Sequence, residues 1–188
     1  EQMKTMGLFG AIIPAEYGGL GLSTATYAAI VARMAAVWMS ISGIINSHLI
    51  MASAIERAGT EAQKRAYLPR MATGEYRGSL GLTEPNAGSD VVSMKLRADL
   101  KGDRYVLNGS KMWITNGGDA DTLVIYAKTD LNAGAGGMTA FIVEKGLKGL
   151  SYGSKLDKLG MRGSNTWPLF FDDCEVPVEN VLGGEGKG

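Results

Sequence analysis

The feature that most constrains the fold is a change in residue pattern at Gly74. Before it, apolar residues recur at helical spacing; after it, short β-prone runs alternate with turn residues. A helical half followed by a β half is typical of two packed domains and not of an alternating α/β sheet. The pattern therefore predicts an α+β chain, with an N-terminal helical domain over residues 1–75 and a small antiparallel β-barrel or sandwich over residues 76–188.

Two helices are predicted between residues 24 and 57. Ser23 is the expected N-cap of the first, which runs to about Met39. The second covers residues 42–57 and is apolar on several sides, as in a helix buried within a bundle. Gly59 follows it and is expected to adopt the left-handed conformation that glycine allows just past a helix.

A third helix is predicted to end at about Thr73. Thr60 and Gln63 form the capping-box pattern that opens it, since each side chain can bond the other residue's backbone N–H. Pro69 lies in its middle and predicts a kink or an early end, because proline has no N–H to donate.

The β half contains five β-prone runs separated by turn residues. They are residues 105–107, 111–115, 122–127, 138–143 and 169–171. Asn108-Gly109 lies between the first two runs and is typical of a two-residue hairpin turn, because both turn positions favour residues that tolerate positive φ. Residues 132–137 are expected to form a flexible loop.

Composition excludes several classes of function. Lysine plus arginine and aspartate plus glutamate are equal at 19 each, so no net field attracts nucleic acid or acidic membranes. A single cysteine, Cys174, and a single histidine, His48, make neither an internal disulfide nor a typical zinc site. No signal-peptide pattern is present, and no apolar run is expected to approach the roughly 20 residues of a membrane span. The use of one cysteine fits an intracellular protein. Because the chain starts at Glu1 and ends within glycines, we interpret it as an internal piece of a longer protein.

Three further patterns are better explained without a catalytic or ligand-binding role. Residues 183–188 resemble a phosphate-binding loop but lack its first glycine and its serine or threonine. The aspartates at positions 119, 121, 172 and 173 stand beside turn residues and are interpreted as solvated, not as a metal site or an acid pair. His48 lies mid-helix without a nucleophile signature, and is interpreted as a core or domain-interface histidine.

Three segments combine features of a ligand site. Residues 82–90 (LTEPNAGSD) form a turn whose N–H groups and serine hydroxyl can bind an anionic or carbonyl oxygen; a capped surface turn is the alternative. Residues 111–116 (KMWITN) can lay a tryptophan plane and a threonine hydroxyl against a flat heteroaromatic ligand. A core tryptophan in a hairpin explains this segment equally well. Residues 159–166 (LGMRGSNT), taken alone, indicate only a turn.

Together and in this order, the three segments resemble the acyl-CoA dehydrogenase family. The similarity runs through essentially the whole chain, from residues 7–21 (GLFGAIIPAEYGGLG) to residues 177–188 (PVENVLGGEGKG). LTEPNAGSD and WITN are specific signals, since few other proteins carry both. Residues 86–95 (NAGSDVVSMK) and 155–166 (KLDKLGMRGSNT) are most similar to the isovaleryl-CoA dehydrogenase branch.

The resemblance implies three domains: a helical one, a middle β-barrel and a C-terminal four-helix bundle. Residues 1–75 then belong to a trimmed helical domain and residues 76–188 to the middle domain, which binds the flavin of FAD. Thr83 is expected to bond the pyrimidine edge, Trp113 to flank the ring, and Thr115 to donate toward flavin N5. Ser89 is expected to lie near the flavin pyrophosphate and to touch the acyl-CoA. The implied cofactor residues are Leu80, Leu82, Thr83, Gly88, Ser89, Trp113, Ile114 and Thr115.

The resemblance also implies a reaction, α,β-desaturation of a short branched acyl-CoA such as isovaleryl-CoA, with electrons passed to an electron-transfer flavoprotein. The family's base is a glutamate of the C-terminal domain, so no catalytic residue is assigned here, and Glu84 is interpreted as stabilising its turn. A homotetramer in the bacterial cytoplasm or the mitochondrial matrix is expected.

Three departures from the family pattern keep alternatives open. Ala32-Arg33 replaces the family's usual acidic pair, and Trp167-Pro168 and residues 132–137 differ from the isovaleryl branch. A different short acyl-CoA is therefore one alternative substrate. A non-catalytic relative that binds flavin or acyl-CoA is the alternative from another class of function.

Overall fold

A computed structural model describes all 188 residues, with helices in the first half and strands in the second. The predicted order of a helical domain followed by a β domain is confirmed. The α-helices are α1 (Gln2–Thr5), α2 (Thr24–Ala58) and α3 (Glu61–Ala72). The strands are β1 (Gly78–Gly81), β2 (Arg97–Lys101), β3 (Arg104–Thr115), β4 (Thr122–Lys128), β5 (Met138–Glu144), β6 (Leu150–Tyr152), β7 (Thr166–Pro177) and β8 (Val181–Leu182).

Helix α2 contains both of the predicted helices, joined at a kink. Trp38 has non-helical dihedral angles, φ −155° and ψ 96°, and divides the helix there. The Ser23 cap is confirmed, because the Thr26 N–H donates to its hydroxyl at 3.2 Å. The left-handed Gly59 is wrong: its φ is −72° and its ψ is 149°, so the chain leaves α2 extended and enters the next cap directly.

Helix α3 opens with the predicted capping box. The Gln63 N–H donates to the Thr60 hydroxyl, and the Thr60 N–H donates to the Gln63 side chain. The helix continues past Pro69 to Ala72, so the early end is wrong. Pro69 lies in the last turn, where the missing N–H costs one bond of the helix and leaves the rest intact.

By length and composition alone, α2 is apolar enough to cross a membrane. The expectation that no apolar run approaches that length is therefore wrong. In this structure the second half of α2 packs into a core with α3 and the sheet, through Ile45, Leu49, Ala52 and Ile55. A core helix of this kind accounts for the apolar residues on several of its sides.

The strands form one eight-stranded sheet with the order β6-β7-β3-β2-β4-β5-β8, and β1 pairs with β4 off this path. Most pairings are antiparallel, but β1 and β2 each run parallel to β4. The expected antiparallel barrel is thus corrected to a mixed sheet whose strand order ends at β6 and β8. The parallel β1–β4 pair is possible because the segment between them, with its hairpin, is long enough for a crossover.

The predicted hairpin turn at Asn108-Gly109 is wrong. Strand β3 runs through both residues, and its pairing with β7 shifts between Leu107 and Gly109, which marks a bulge. Asp173 on β7 explains the bulge, because its carboxylate accepts from the Asn108 side-chain amide at 3.1 Å and its backbone N–H donates to the Asn108 side-chain oxygen Oδ1 at 2.9 Å. The hairpin turn lies instead between β2 and β3, where Gly102 has a φ of 65°.

Alternate residues of β4 and β5 face two different cores. Val124 and Ile142 pack with α2 and α3, whereas Leu123 and Phe141 pack among the other strands. This alternation is the two-residue period of a strand. One face of the sheet therefore carries the helical domain.

Three buried polar side chains cross between the helices and the strand-bearing half, and we call this set the domain seam: His48, Gln63 and Asn116. The Gln63 amide donates to the carbonyls of Glu179 at 2.8 Å and Val181 at 3.0 Å. The Asn116 amide donates to the Ile44 carbonyl at 2.9 Å. Each bond joins groups far apart in sequence and fixes how the helices sit on the sheet.

Candidate functional site

The two segments with the strongest ligand signals lie side by side. The Met112 N–H donates to the Thr83 carbonyl at 2.9 Å, which continues the sheet beyond the end of β1. Before this point, the Ser79 hydroxyl donates to the Thr115 carbonyl at 2.7 Å. Residues 78–84 therefore run along residues 111–115, which brings Thr83 and Thr115, both half-buried, into neighbouring segments.

A buried ion pair ties the two segments together. The Lys111 ammonium is 0% exposed and donates to the Glu84 carboxylate and to the Leu82 carbonyl, each at 2.9 Å. Glu84 also accepts from the backbone N–H groups of Lys95 at 2.7 Å and Leu96 at 2.9 Å. Burial lowers the pKa of Lys111, and Glu84 opposes that shift. Glu84 stabilises its turn, as interpreted from the sequence, and Lys111 is a partner that the sequence did not reveal.

Trp113 lies at the surface and not in the core. Its side chain is 58% exposed, and the pairing of β3 with β7 shifts between Lys111 and Ile114, so Trp113 stands on a bulge. Its φ is 65°, in the left-handed region that a bulky residue rarely adopts. The alternative of a core tryptophan in a hairpin is therefore wrong. An exposed aromatic plane held in an unusual backbone conformation is typical of a binding site.

The neighbours of Trp113 differ in what they can offer a ligand. Thr83 and Thr115 are both half-buried, and no side-chain hydrogen bond within the chain engages either hydroxyl. Ile114, by contrast, is 2% exposed and packs in the β-domain core. The side chain of Ile114 is therefore enclosed by the core, and the predicted cofactor contact of this residue stays a prediction.

The apolar residues named for the site lie on the β1 side. Leu80 is half-buried against the core that α2 and α3 share with the sheet. Leu82 is half-buried against a small separate cluster of Ala87, Met94 and Met138.

The turn after Thr83 is fixed at its base and open at its tip. Glu84 and Ala87 exchange two backbone hydrogen bonds, at 3.1 and 3.2 Å. Gly88 and Ser89 are both exposed, and a Cβ added at Gly88 would meet no atom within 4 Å. Backbone and hydroxyl donors at this tip are free to contact an anionic group.

The domain seam also contacts β1, the strand that leads to the candidate site. Burial lowers the pKa of His48 to about 4 and keeps its ring neutral. The ring donates from Nε2 to the Phe9 carbonyl at 3.1 Å and accepts the Gly78 N–H at Nδ1 at 2.9 Å. His48 is therefore a domain-interface residue, as interpreted from the sequence. Through Gly78, it anchors the first residue of β1.

The third sequence segment borders the end of β3. The Asn116 N–H donates to the Asn165 carbonyl at 3.0 Å, and Thr166 pairs with Thr115. Asn116 has a φ of 64°, so the chain turns out of β3 in a second left-handed residue. The sequence motif contains Asn116 but did not indicate that its side chain supports the site. Its position after a threonine at a strand end was the only sequence feature that could have pointed to this role.

Comparison with family profiles shows which protein family this chain belongs to. The family profile described as "Acyl-CoA dehydrogenase, middle domain" matches residues 79–174. The profile described as "Acyl-CoA dehydrogenase, N-terminal domain" matches residues 1–75. The chain therefore belongs to the acyl-CoA dehydrogenase family.

Three individual proteins show how similar this chain is to members of the family. The mitochondrial isovaleryl-CoA dehydrogenase of Pongo abelii is 50% identical over 191 residues, covering 100% of this chain and 45% of the relative. The short-chain specific acyl-CoA dehydrogenase of Clostridium acetobutylicum is 49% identical, covering 100% of this chain and 51% of the relative. An acyl-CoA dehydrogenase of Bacillus anthracis, solved in complex with FAD, has a TM-score of 0.92 at 40% identity, covering 100% of this chain and 32% of its own. The chain spans about half the length of the curated relatives it matches.

Proposed function

We propose that this chain is the helical and flavin-binding part of an FAD-dependent acyl-CoA dehydrogenase. The observation that carries the proposal is the hydrogen bond from Met112 to Thr83, which brings the backbones of both predicted ligand segments together beside an exposed tryptophan. Identity of 50% across the whole chain to an isovaleryl-CoA dehydrogenase supports the same assignment. In this proposal, residues 1–75 are the helical domain, residues 76–188 are the middle domain, and the C-terminal helical domain lies outside the 188 residues.

The chemistry of the surface fits FAD. A flat aromatic cofactor needs a plane to lie against and donors at its polar edge. Trp113 offers the plane, and the hydroxyls of Thr83 and Thr115 offer the donors. A pyrophosphate needs backbone donors without crowding, and the open tip at Gly88 and Ser89 leaves that room.

Each residue of the surface receives a role under this proposal. When bound, FAD supplies the acceptor for the hydride that an acyl thioester loses. Thr83 binds the pyrimidine edge, Thr115 donates toward N5, and Trp113 covers one side of the ring. Leu80 and Leu82 line the ring, the Ile114 backbone borders it, and Gly88 and Ser89 receive the pyrophosphate. Ser89 also contacts the acyl-CoA.

No residue of this chain is proposed as the base that removes the α-proton. Glu84 is the carboxylate of the flavin motif, but Lys111 and two backbone N–H groups hold it in a buried position. A general base has to reach the substrate's proton and accept it near neutral pH. Glu84 is therefore excluded as the base, and the family resemblance implies that the base is a glutamate of the C-terminal domain.

The proposed substrate is a short branched acyl-CoA, isovaleryl-CoA, which is converted to 3-methylcrotonyl-CoA. Electrons then pass to an electron-transfer flavoprotein, and the full-length protein is a homotetramer of the bacterial cytoplasm or the mitochondrial matrix. The 49% identity to a short-chain specific enzyme favours a second candidate, a straight short-chain acyl-CoA. A non-catalytic flavin-binding relative is the remaining alternative.

An anaerobic titration of the full-length protein with FAD tests the proposal. Isovaleryl-CoA is added, and the flavin absorbance band is followed in parallel with butyryl-CoA. Bleaching that is faster with isovaleryl-CoA supports both the reaction and the branch, whereas faster bleaching with butyryl-CoA selects the straight-chain candidate. Bound FAD that no acyl-CoA bleaches would leave the non-catalytic relative.

Thr115→Val tests the proposed contact at N5. The change removes one hydroxyl donor with little change in volume, so the flavin is expected to bind more weakly or to be harder to reduce. The dissociation constant and the reduction potential measure the two effects. Thr129→Val is the control, because Thr129 follows the end of β4 and its hydroxyl bonds the Thr139 hydroxyl at 2.9 Å within the chain. Unchanged binding and potential in Thr115→Val would remove Thr115 from the site.

A further inference from the structure

Two residues of one short segment hold a backbone conformation that their side chains disfavour. Trp113 has a φ of 65° and Asn116 a φ of 64°. Asparagine tolerates the left-handed region, whereas tryptophan, with its large ring, rarely enters it. Such conformations persist only where the surrounding structure fixes them, and they cluster at ligand sites. The contacts that fix this segment are therefore the ones to identify.

The first fixed point lies two residues before Trp113. Lys111 is fully buried, and its ammonium bonds the Glu84 carboxylate and the Leu82 carbonyl at 2.9 Å each. Glu84 is immobilised in turn by two backbone N–H groups, so Lys111 is held to a rigid turn. A charge-assisted bond inside the protein is strong and directional, which fits a residue that sets backbone position.

The second fixed point lies three residues after Trp113. The Asn116 amide is buried and donates to the Ile44 carbonyl of α2 at 2.9 Å, with a longer contact of 3.5 Å to the Gly78 carbonyl. Its own N–H donates to Asn165 at 3.0 Å. The segment is thus attached to the LTEPNAGSD turn at one end and to the helical domain at the other.

Between the two fixed points, the chain has one residue more than its partner strand can pair. Lys111 pairs with Leu169 and Ile114 with Trp167, so two residues on β3 stand opposite a single residue on β7. The excess is absorbed at Met112 and Trp113, and the Trp113 ring turns outward while Ile114 remains in the core. A bulge of this kind re-aims a side chain.

We propose that the Glu84–Lys111 ion pair and the Asn116 side chain form a two-point clamp that holds Trp113 outward and sets the position of Thr115 for a planar cofactor. Lys111, Glu84 and Asn116 are positioning residues, since they act through Trp113 and Thr115. The part of this inference that concerns FAD rests on the proposed function. The part that concerns the orientation of Trp113 does not, because it is a property of the protein alone.

Two variants of the full-length protein release one point of the clamp at a time. Glu84→Gln combined with Lys111→Met removes both buried charges together, so neither is left unpaired. Asn116→Gly removes the amide but still allows a φ of 64°, so any effect comes from the lost contact and not from backbone strain. Tyr67→Phe is the control, because it removes a hydrogen bond to Glu144 at the helix–sheet boundary, away from the clamp.

The first readout uses the protein without cofactor. Trp38 and Trp167 are replaced by phenylalanine, so that Trp113 is the sole tryptophan of residues 1–188, and its fluorescence quenching by iodide is measured. Tryptophans outside this range are replaced in the same way. Release of the clamp is expected to change the quenching constant about twofold or more as the ring leaves its outward position, with the control unchanged.

The second readout is the dissociation constant for FAD. Each clamp variant is expected to bind about tenfold more weakly and to show a shifted flavin absorbance band, while Tyr67→Phe binds as the parent does. Folded clamp variants that keep both the parent quenching and the parent FAD affinity would overturn the clamp. A parent protein that binds no FAD would instead overturn the proposed function, and the quenching result would still decide the clamp.

Discussion

The domain seam and the clamp at Trp113 both rely on polar groups buried away from water, but they satisfy them differently. In the seam, the neutral His48 ring links a carbonyl of the helical domain to an N–H of the sheet. In the clamp, the Lys111 ammonium faces the Glu84 carboxylate. Asn116 belongs to both.

Because of this difference, we expect the two regions to respond differently to a change in protonation or in sequence. A buried neutral ring costs little to desolvate, but a proton added to it would be charged and unpaired. A buried ion pair carries a large desolvation cost that only its partner offsets, so loss of one member is severe. The seam is therefore expected to be sensitive to acid, and the clamp to single substitutions.

The largest effect on stability is expected from removing one member of the ion pair in the clamp. Lys111→Met leaves the Glu84 carboxylate buried without its cation, and should lower the free energy of unfolding by about 3–5 kcal/mol. Urea denaturation followed by circular dichroism measures the loss. Lys101→Met, at an exposed position, should change it by less than about 0.5 kcal/mol. Equal values for the two variants would show that the ion pair adds nothing to stability.

The next largest effect is expected from lowering the pH, which tests the acid sensitivity of the domain seam. The pKa of His48 is about 4 in the folded protein against an ordinary 6.5, so the unfolded chain binds the extra proton between these values. The stabilisation is complete above pH 6.5 and is lost as the pH falls toward 4, by about 3 kcal/mol. Urea unfolding at intervals across this range measures it.

His48→Gln provides the control for the pH series. The variant keeps an amide that can donate and accept, but it cannot titrate in this range. Its stability profile between pH 6.5 and 4 should be flatter than the parent's by the His48 contribution. An identical slope in parent and variant would assign the acid sensitivity to other groups.

A smaller effect concerns the second member of the seam. Gln63→Glu keeps the acceptor for Thr60 but removes the amide that donates to Glu179 and Val181, and it places a carboxylate against two carbonyl oxygens. A loss of about 2 kcal/mol in the free energy of unfolding is expected. Hydrogen exchange should increase at β8, which this amide holds. Unchanged exchange there would mean that β8 is held by its strand pairing alone.

The smallest effect is expected at the helix–sheet boundary. The Tyr67 hydroxyl donates to Glu144 at 2.8 Å, and burial raises its pKa well above the ordinary value. Tyr67→Phe should cost about 1 kcal/mol, because one hydrogen bond is lost while the ring stays packed. A differential scan of parent and variant measures it. A loss as large as that of Lys111→Met would show that one hydrogen bond at this boundary contributes as much as the buried ion pair of the clamp.

Local chemistry was readable from the sequence, and distant partners were not. The Ser23 cap and the Thr60–Gln63 box depend on residues three apart, and both were predicted. Asn108-Gly109 has the sequence of a turn, but Asp173, 65 residues later, engages the Asn108 side chain and keeps the strand continuous. The hairpin signal therefore failed because a tertiary contact overrode a local preference.

The same limit applies to the candidate site. The motifs indicated Trp113 and Thr115, since an aromatic plane and a hydroxyl are recognisable as ligand groups, and the family resemblance added Thr83; the binding roles of all three stay predictions. Lys111 appeared only as a polar residue within a β-prone run, because its partner Glu84 is 27 residues away. The outward orientation of Trp113 depends on a bulge whose register is set by β7, which no local pattern specifies.

The seam also has a consequence for the order in which the chain can fold during synthesis. The helical segment leaves the ribosome first, yet the Nδ1 atom of His48 and the carbonyl of Ile44 find their partners only at Gly78 and Asn116. Domains generally fold as units from the N-terminal end. Here the first unit cannot complete its hydrogen bonds until β3 has emerged, so we expect a nascent chain that stops before Asn116 to remain protease-sensitive and one that extends past β7 to become resistant.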